Sequence, residues 1–410
     1  MPDDNTPETD ASAADSGLPR LVLKPREERR LHAGHLWIFS NEVDVEASPL
    51  SSFAPGQVAA VFSSKDRFLG YASVNPHTLI AGRLLSRGAS EKPGRAWLAR
   101  RLEAAKALRE RFFERPFYRL AFGESDQLPG LVVDRYGDVC VVQLGTAGME
   151  AMKDEVLAAL CKVVAPSAVL WRNDSPLREL EGLPLYVEAA LGDVPDSVEV
   201  EEGGVRFSVP LAEGQKTGWF FDQAPSRAAV ARHSAGARVL DVFSYAGGFG
   251  LQAARAGARE VTCVDASAAA LSSVEATAAA NGLSVATARG DAFEVLEGMA
   301  RERRRFDVVV VDPPAFIKRR KDHGKGLAAY KRINQLALQL LDRDGLLMSC
   351  SCSSHLAEGE LIDVVQRGAR HVDRFVQLVS SGGQAPDHPV HPAIPETRYL
   401  KALLFRVTHT

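Results

Sequence analysis

The sequence contains few cysteines, and their small number limits what the chain can build. Five cysteines are spread irregularly over 410 residues, which is too few and too scattered for a disulfide framework or a four-cysteine zinc site. We therefore predict no bound metal and a reducing, cytoplasmic location. No apolar run approaches the roughly 18 residues that cross a bilayer, so we predict no membrane association. The N-terminus also lacks the basic and apolar regions of a signal peptide.

A strong excess of charge of one sign is also missing. The formal net charge is −3, but residues 1–17 carry five acids and no lysine or arginine, which leaves a net charge of +2 on the remainder. An acidic stretch with few hydrophobic residues predicts a disordered tail over residues 1–18. Basic clusters at 20–30, 301–305 and 318–325 are each typical of a solvated surface. The net charge therefore neither supports nor excludes RNA as a partner.

Apolar periodicity and turn signals divide the rest of the chain into three parts. Short strand-like runs between turn signals over residues 19–92 predict a small β-barrel. A helix followed by strands over residues 93–195 predicts a central α+β domain. A hairpin around Gly203 and Gly204 then leads into alternating strands and helices. This alternation predicts a mostly parallel, doubly wound α/β sheet within residues 196–410.

A functional signal lies at the first strand of this sheet. The strand at 238–242 contains Asp241 and runs into a loop with Gly247, Gly248 and Gly250, which opens a helix. Ligands of doubly wound sheets bind at the carboxyl ends of the strands, where glycines let the backbone approach them closely. A dinucleotide loop would read Gly-x-Gly-x-x-Gly and leave the helix N-terminus to a pyrophosphate. An aspartate there suits the cationic aminoacyl end of S-adenosylmethionine, which we predict as the cofactor.

Acids also end the next two predicted strands. Asp265 closes the second, where an acid usually binds ribose hydroxyls, and Asp291 follows the third, where it can meet the adenine. The alternative is that these acids are helix N-caps or turn residues. Three acids in the same position at the ends of successive strands favour a cofactor site. The predicted cofactor-binding residues are Asp241, Phe243, Ser244, Gly247, Gly248, Asp265, Ala266, Asp291, Ala292 and Asp312.

The fourth strand ends in Asp312 followed by two prolines. The prolines fix the backbone beside the expected methyl group, which aims Asp312 into the pocket, where it can bind a nucleobase edge. Amino-directed methyltransferases generally place an aromatic residue directly after the second proline. Here Ala315 intervenes and Phe316 comes one place later, which argues against an exocyclic amine as the methyl acceptor.

The fifth strand leads into Cys352, the centre of a Ser-Cys-Ser sequence. Carbon C5 of a pyrimidine is not reactive enough to accept a methyl group until a thiolate adds to C6 and makes C5 enamine-like. Cysteine suits this step because it is nucleophilic near neutral pH and leaves readily. Cysteines are more often small core residues. That interpretation fits Cys350, which lies inside the apolar strand. Cys352 lies just past the end of the strand, at the opening of the predicted pocket, and fits the role of the nucleophile.

Taken together, these motifs resemble the ribosomal RNA large-subunit 5-methylcytosine methyltransferases that carry an N-terminal PUA-like domain. The resemblance covers nearly the whole chain after the acidic tail. The segments that carry it are residues 34–41, 124–136, 214–223, 243–249, 312–314 and 351–353.

The resemblance implies a PUA-like RNA-binding barrel at 19–92, a central α+β domain and a Rossmann-like class I methyltransferase domain at 196–410. It implies large-subunit ribosomal RNA as the partner, allows a homodimer, and makes Cys352 the nucleophile. A related family has a second cysteine directly after Asp-Pro-Pro for product release. Ala315 stands there in this chain, so the group that removes the C5 proton is unassigned. The segment that covers the cofactor would contain Lys216, Thr217, Phe221, Asp222 and Gln223, of which we predict Phe221 and Gln223 to bind it.

Two alternatives remain open at this level. The first is C5 methylation of uridine or N-methylation of guanine in RNA. The second is a non-catalytic RNA-binding protein of ribosome assembly, which the intact acids of the cofactor site disfavour.

Overall fold

The computed structural model describes residues 17–211 and 218–409. Most of the predicted disordered tail, together with Lys216 and Thr217, lies outside the described residues. The chain forms two compact units. The first comprises the chain up to Val198 with Pro210–Trp219 and Pro386–Thr397, and the second comprises Glu199–Val209, Phe220–Ala385 and the C-terminal strand. No helix in the described part of the chain is long and apolar enough to cross a membrane.

The first unit begins with a five-stranded sheet in the order β1-β3-β4-β5-β2. Its apolar side chains, among them Ile38, Val61 and Leu84, enclose a core that also takes in Ile394 from near the C-terminus. The elements are β1 (Arg20–Val22), α1 (Arg29–His32), β2 (Trp37–Ile38), β3 (Gln57–Phe62), β4 (Phe68–Val74) and β5 (Gly82–Ser86).

A second five-stranded sheet of the first unit has the order β10-β9-β8-β7-β6, in which β8 and β9 run parallel and the other pairs antiparallel. Sequence reasoning predicts two strands within residues 119–144, but three are present there because β6 also pairs with β7. The elements are α2 (Arg95–Arg109), β6 (Phe117–Phe122), β7 (Leu131–Tyr136), β8 (Val139–Leu144), α3 (Ala147–Ala151), α4 (Lys153–Val163), β9 (Ala168–Asn173) and β10 (Tyr186–Leu191).

The predicted hairpin is present as strands β11 (Ser197–Glu202) and β12 (Val205–Pro210). They are joined at Gly203 and Gly204, whose φ angles of 59° and 74° are in the left-handed region. Two consecutive residues of this kind form the tight turn whose twist matches a two-stranded ribbon.

The second unit is built on a seven-stranded sheet in the order β15-β14-β13-β16-β17-β19-β18. The first five strands in this order are parallel, and β19 runs antiparallel to both its neighbours. The strands are β13 (Arg238–Val242), β14 (Glu260–Asp265), β15 (Ala286–Arg289), β16 (Phe306–Val311), β17 (Leu341–Ser351), β18 (Arg374–Gly382) and β19 (Lys401–His409).

In the described part of the chain, six helices accompany this sheet. Because the strand order reverses at β13, right-handed connections place the helices that follow β15 and β16 on the face opposite those that follow β13 and β14. The predicted doubly wound α/β fold is therefore confirmed. The helices are α5 (Ala224–Ala231), α6 (Gly248–Arg255), α7 (Ala268–Ala280), α8 (Ala292–Arg301), α9 (His323–Leu340) and α10 (Glu358–Arg370).

Candidate active site

The predicted site residues of the second unit lie at one edge of its sheet. Strands β15, β14, β13, β16 and β17 are neighbours and run parallel, so their carboxyl ends meet at that edge. Asp291, Asp265, Phe243, Asp312 and Cys352 each lie at or just beyond the end of one of these strands. Between β13 and β16 the strand order changes direction, and ligands of doubly wound sheets bind at such a crevice.

The loop between β13 and α6 holds an unusual backbone conformation. Phe243 and Tyr245 have φ angles of +64° and +47°, although neither is glycine. Gly247 precedes α6 with a φ of +76°. The Gly247 N–H donates to the Ser244 carbonyl at 2.7 Å, and the Ser244 N–H donates to the Val264 carbonyl at 3.0 Å. Strained backbone held this firmly is concentrated at ligand sites.

Asp241 lies beneath this loop and is fully buried. Its Oδ2 accepts a hydrogen bond from the Gly250 N–H at 2.8 Å, which ties the strand to the first turn of α6. Burial raises the pKa of Asp241 to about 7, and the nearby carboxylates of Asp312 and Asp265 act in the same direction. Among the described residues, Oδ1 has no hydrogen-bond partner.

The other two acids have structural partners of their own. Asp265 accepts the Tyr245 N–H and the Ser267 N–H at 2.9 Å each, so it holds the cofactor loop against the end of β14. Asp291 is the N-cap of α8, and its Oδ1 accepts the N–H groups of Phe293 and Glu294 at 3.0 and 3.3 Å. The capping role weighed from the sequence is thus real for Asp291. A role in cofactor binding stays a prediction for both acids.

The remaining predicted cofactor residues divide between surface and core. Gly248 is the first residue of α6, and Ala266 is exposed directly after β14, whereas the Ala292 methyl group lies in the core. Phe221 and Gln223 are buried in a single helical turn before α5.

The Asp-Pro-Pro loop is anchored on both sides. The Asp312 N–H donates to the Val242 carbonyl at 3.3 Å, which joins this loop to the end of β13. Phe316 packs against three aromatic rings, with centroid distances of 6.3 Å to Phe243, 6.2 Å to Phe293 and 4.9 Å to Tyr330. It therefore contributes to an aromatic cluster.

Both serines of the Ser-Cys-Ser sequence are held by one hydroxyl. The Tyr330 hydroxyl in α9 lies 2.8 Å from Ser351 Oγ and 2.9 Å from Ser353 Oγ. Ser353 Oγ also accepts the Ile317 N–H at 3.2 Å, which connects this turn to the Asp-Pro-Pro loop. These bonds fix the backbone on both sides of Cys352, whose side chain is half-buried.

The two cysteines of this region have different environments. Cys350 is fully buried in β17, and burial raises the pKa of its thiol well above the usual value, with the Asp312 carboxylate adding to the shift. The Gln223 side chain hydrogen-bonds this thiol. Cys350 is thus a buried thiol in the core of β17, as the sequence analysis expects, while Cys352 stands beyond the strand end.

Sequence reasoning missed two residues here, Tyr330 and Lys401. Tyr330 sits at an apolar position of α9, so the sequence shows only a core aromatic residue. Lys401 is the first residue of β19, is 6% exposed, and donates to the Ser353 carbonyl at 2.6 Å. The available signal was a lysine directly before the apolar run 402–405.

The site also fits the predicted cofactor. Two buried oxygen acceptors, Asp241 Oδ1 and Gln223 Oε1, lack hydrogen-bond partners among the described residues. Buried acceptors of this kind call for a donor, and the cationic aminoacyl end of S-adenosylmethionine supplies one.

Known proteins resemble the chain over almost its whole length. Residues 21–87 match the PUA-like domain, and residues 184–406 match the S-adenosylmethionine-dependent methyltransferase family. The chain is 36% identical over 395 residues to the ribosomal RNA large subunit methyltransferase I of Erwinia tasmaniensis, covering 95% of this chain and 99% of that protein. It is 37% identical over 397 residues to the protein of that name from Shewanella denitrificans, with the same coverage.

A solved structure gives the same fold. The crystal structure of SMU.776, a methyltransferase complexed with SAH, superimposes with a TM-score of 0.81, at 22% identity, over 95% of this chain and 100% of that chain. The PUA-like domain, the Rossmann-like fold and the cofactor S-adenosylmethionine are thereby confirmed. The chain belongs to the family of S-adenosylmethionine-dependent methyltransferases that includes the ribosomal RNA large subunit methyltransferases I.

Proposed function

We propose that this protein methylates C5 of a cytosine in large-subunit ribosomal RNA through a covalent bond between Cys352 and C6 of the base. The observation that carries the proposal is the hydrogen-bonded connection between the Ser-Cys-Ser turn and the Asp-Pro-Pro loop, through Ser353 and Ile317. It ties the turn that carries the half-buried Cys352 thiol to the loop that begins with Asp312, at the edge where the cofactor loop also ends. The substrate class follows from the relatives, which are named for large-subunit ribosomal RNA.

The proposed reaction uses the chain's own residues in a fixed order. Asp312 binds N3 or the amino group of the base and orients the ring. The Cys352 thiolate forms a bond to C6, and the electron pair released to C5 forms the bond to the incoming methyl group. The bound cofactor supplies that methyl group. A base then removes the C5 proton, C5 and C6 regain their double bond, and the C6–S bond breaks to return the thiolate.

The surroundings of the thiol suit an RNA strand. A cleft of about 460 Å³ beside the Ser-Cys-Ser turn is lined by Arg320, His323, Ser354, His355, Ala357 and Glu360. Lys318, Arg319 and Lys321, which follow the Asp-Pro-Pro loop, are exposed. Cations in these positions can contact phosphates, and an unstacked base in a loop is the accessible kind of target. Such a substrate also implies a cytoplasmic location.

N-methylation of guanine fits the site less well. Methyltransferases that act on an exocyclic amine generally place an aromatic ring beside the Asp-Pro-Pro motif to stack on the base. The nearest aromatic residue of the loop, Phe316, instead packs within the cluster formed with Phe243 and Tyr330.

Nucleoside mass spectrometry of large-subunit ribosomal RNA tests the proposal. RNA from a deletion strain is incubated with S-adenosylmethionine and the wild-type, Cys350→Ala or Cys352→Ala protein. We expect 5-methylcytidine with the first two and none with Cys352→Ala. Formation of 5-methyluridine or N-methylguanosine instead would show that the target base is uracil or guanine and not cytosine. No methylated product with any of the proteins would favour a non-catalytic RNA-binding role.

A further inference from the structure

Lys401 occupies a position that the mechanism above does not use. Strand β19 runs antiparallel to β17, and Lys401 lies directly opposite Ser351, the residue before Cys352. Its Nζ donates to the Ser353 carbonyl at 2.6 Å and to the Tyr399 carbonyl at 2.8 Å. The amine is therefore held from the neighbouring strand against the residue that follows the thiol.

The charges that face Lys401 come from three elements. They are Cys352 beyond β17, Arg398 before β19, and Glu358 and Glu360 at the start of α10. Burial lowers the pKa of Lys401 to about 8, and a negative Cys352 opposes that shift more strongly than either glutamate.

Both glutamates have other partners. Glu358 accepts hydrogen bonds from Ser381 and Arg398. Glu360 binds His323 and the Ala357 N–H. A buried cation requires a compensating charge or dipole. Since both of these acids are engaged elsewhere, a thiolate at Cys352, next to the residue whose carbonyl binds the Lys401 Nζ, can supply that charge.

The hydrogen bonds of Lys401 leave one position on Nζ that can bind a proton. A neutral amine has two N–H groups and one lone pair. The carbonyls of Ser353 and Tyr399 take two N–H groups, so the third position on Nζ can accept a proton without loss of either bond.

We propose that Lys401 accepts the proton of the Cys352 thiol and holds the resulting thiolate as an ion pair, which prepares it for the addition to C6; this role rests on the proposed function. The S–H bond breaks, an N–H bond forms on Nζ, and the electron pair stays on sulfur. When the C6–S bond breaks at the end of the cycle, the thiolate returns to the same ammonium group. Lys401 thus acts through Cys352 as a positioning residue.

The rate of Cys352 alkylation as a function of pH tests this role without RNA or cofactor. The full-length protein is treated with iodoacetamide between pH 6 and 10, and modification of the Cys352 peptide is followed by mass spectrometry. A nearby opposite charge shifts an ionisation by about one to three pH units. We therefore expect Lys401→Gln to move the alkylation midpoint to higher pH and to slow alkylation at pH 7 by about tenfold or more.

Lys401→Gln separates charge from structure, because an amide still donates N–H groups to the two carbonyls. Lys401→Arg keeps a positive charge, and we expect it to restore most of the low midpoint. Exposed Cys161 in the first unit serves as an internal control whose alkylation profile stays constant. If Cys352 in Lys401→Gln shows the wild-type dependence of alkylation on pH, at an unchanged melting temperature, the proposal is overturned. Lys401 would then only stabilise the structure of the turn.

The outcome is independent of the proposed reaction. If the alkylation midpoint shifts in Lys401→Gln but the wild-type protein makes no 5-methylcytidine, the ion pair stands and the proposed function fails. If the wild-type protein makes 5-methylcytidine while the midpoint does not shift, the proposed function stands and the role of Lys401 fails.

Discussion

At the scale of single residues, the buried carboxyl of Asp241 makes the stability of the second unit depend on pH. Its pKa of about 7 lies above the usual 3.8 because burial disfavours the charged form. A carboxyl that binds its proton more tightly in the folded than in the unfolded state favours folding at low pH. Its contribution is complete below about pH 4 and is lost as the pH rises through 7.

Asp241→Asn tests this dependence, since the amide oxygen can still accept the Gly250 N–H but cannot ionise. Relative to the wild type, we expect the variant to gain stability between pH 4 and 7, by up to about 1.4 kcal/mol per pH unit. The melting temperature from calorimetry at several pH values measures the difference. Asp363→Asn is the control, because Asp363 lies at the surface of α10, paired with Arg367. Parallel profiles for Asp241→Asn and the wild type would contradict the account.

At the scale of the element, the turn from β13 into α6 depends on glycine. A Cβ on Gly250 would lie 2.6 Å from Cys263 Sγ and 3.2 Å from Asp241 Oδ2. We expect Gly250→Ala to destabilise the protein by about 1–3 kcal/mol through overpacking and to weaken binding of S-adenosylmethionine in isothermal titration.

Gly298 provides the matched substitution, because it lies within α8 with no atom within 4 Å of an added Cβ. There we expect Gly298→Ala to stabilise the protein by about 0.5–1 kcal/mol and to leave cofactor binding unchanged. Wild-type cofactor affinity in Gly250→Ala would show that the loop does not need this close packing.

Helix α9 positions the thiol turn through a single hydroxyl. Tyr330→Phe would leave the buried hydroxyls of Ser351 and Ser353 each short of a partner, at a cost of about 1–3 kcal/mol. Because the turn would lose the anchor that joins both of its serines, we expect kcat for methyl transfer to fall while KM for RNA stays near the wild-type value. Tyr186→Phe removes a hydroxyl in the first unit, where Tyr186 bonds Glu150, and should not change kcat. An unchanged kcat in Tyr330→Phe would refute the positioning role.

At the scale of the whole molecule, RNA binding should depend on where cations lie rather than on net charge. Replacing Lys318, Arg319 and Lys321 with glutamine should weaken RNA binding and reduce the slope of log affinity against log salt by about 0.7 for each lost phosphate contact. Arg301→Gln with Arg305→Gln is the control, because these residues precede β16 and so lie at the opposite edge of the sheet. Equal losses in filter-binding assays would contradict the assigned RNA surface.

The sequence predicted the parts of the second unit in which local pattern and burial agree. Strand β16 contains the apolar run Val308–Val311, which an acid follows directly, and the structure buries these four valines. Strand β18 was missed because it mixes polar residues with apolar ones that stay exposed, among them Phe375 and Leu378. Helix α9 begins five residues before the predicted start at residue 328, because Gly324 and Gly326 discourage a helix in the sequence.

Other features depend on contacts between distant residues. The segment Pro386–Thr397 joins the first unit, where the Arg109 side chain donates to the Asp387 carbonyl at 2.6 Å. The hydroxyl of Tyr330 reaches serines more than 20 positions along the chain. Lys401 comes beside the thiol turn only because β19 pairs with β17. No local pattern encodes these partners, so sequence reasoning identified Cys352 without the groups that hold it.

The central claim, attack of Cys352 on C6 during methylation at C5, is tested most directly with a 5-fluorocytidine RNA. Fluorine at C5 cannot leave as a proton, so the reaction should stop at the methylated covalent adduct. Fluorine-substituted large-subunit ribosomal RNA is incubated with S-adenosylmethionine and each protein, and adducts that survive denaturation are resolved by gel electrophoresis. We predict a stable protein–RNA adduct with the wild type and Cys350→Ala, and none with Cys352→Ala. An adduct with Cys352→Ala, or no adduct with a wild-type protein that methylates unmodified RNA, would contradict the account.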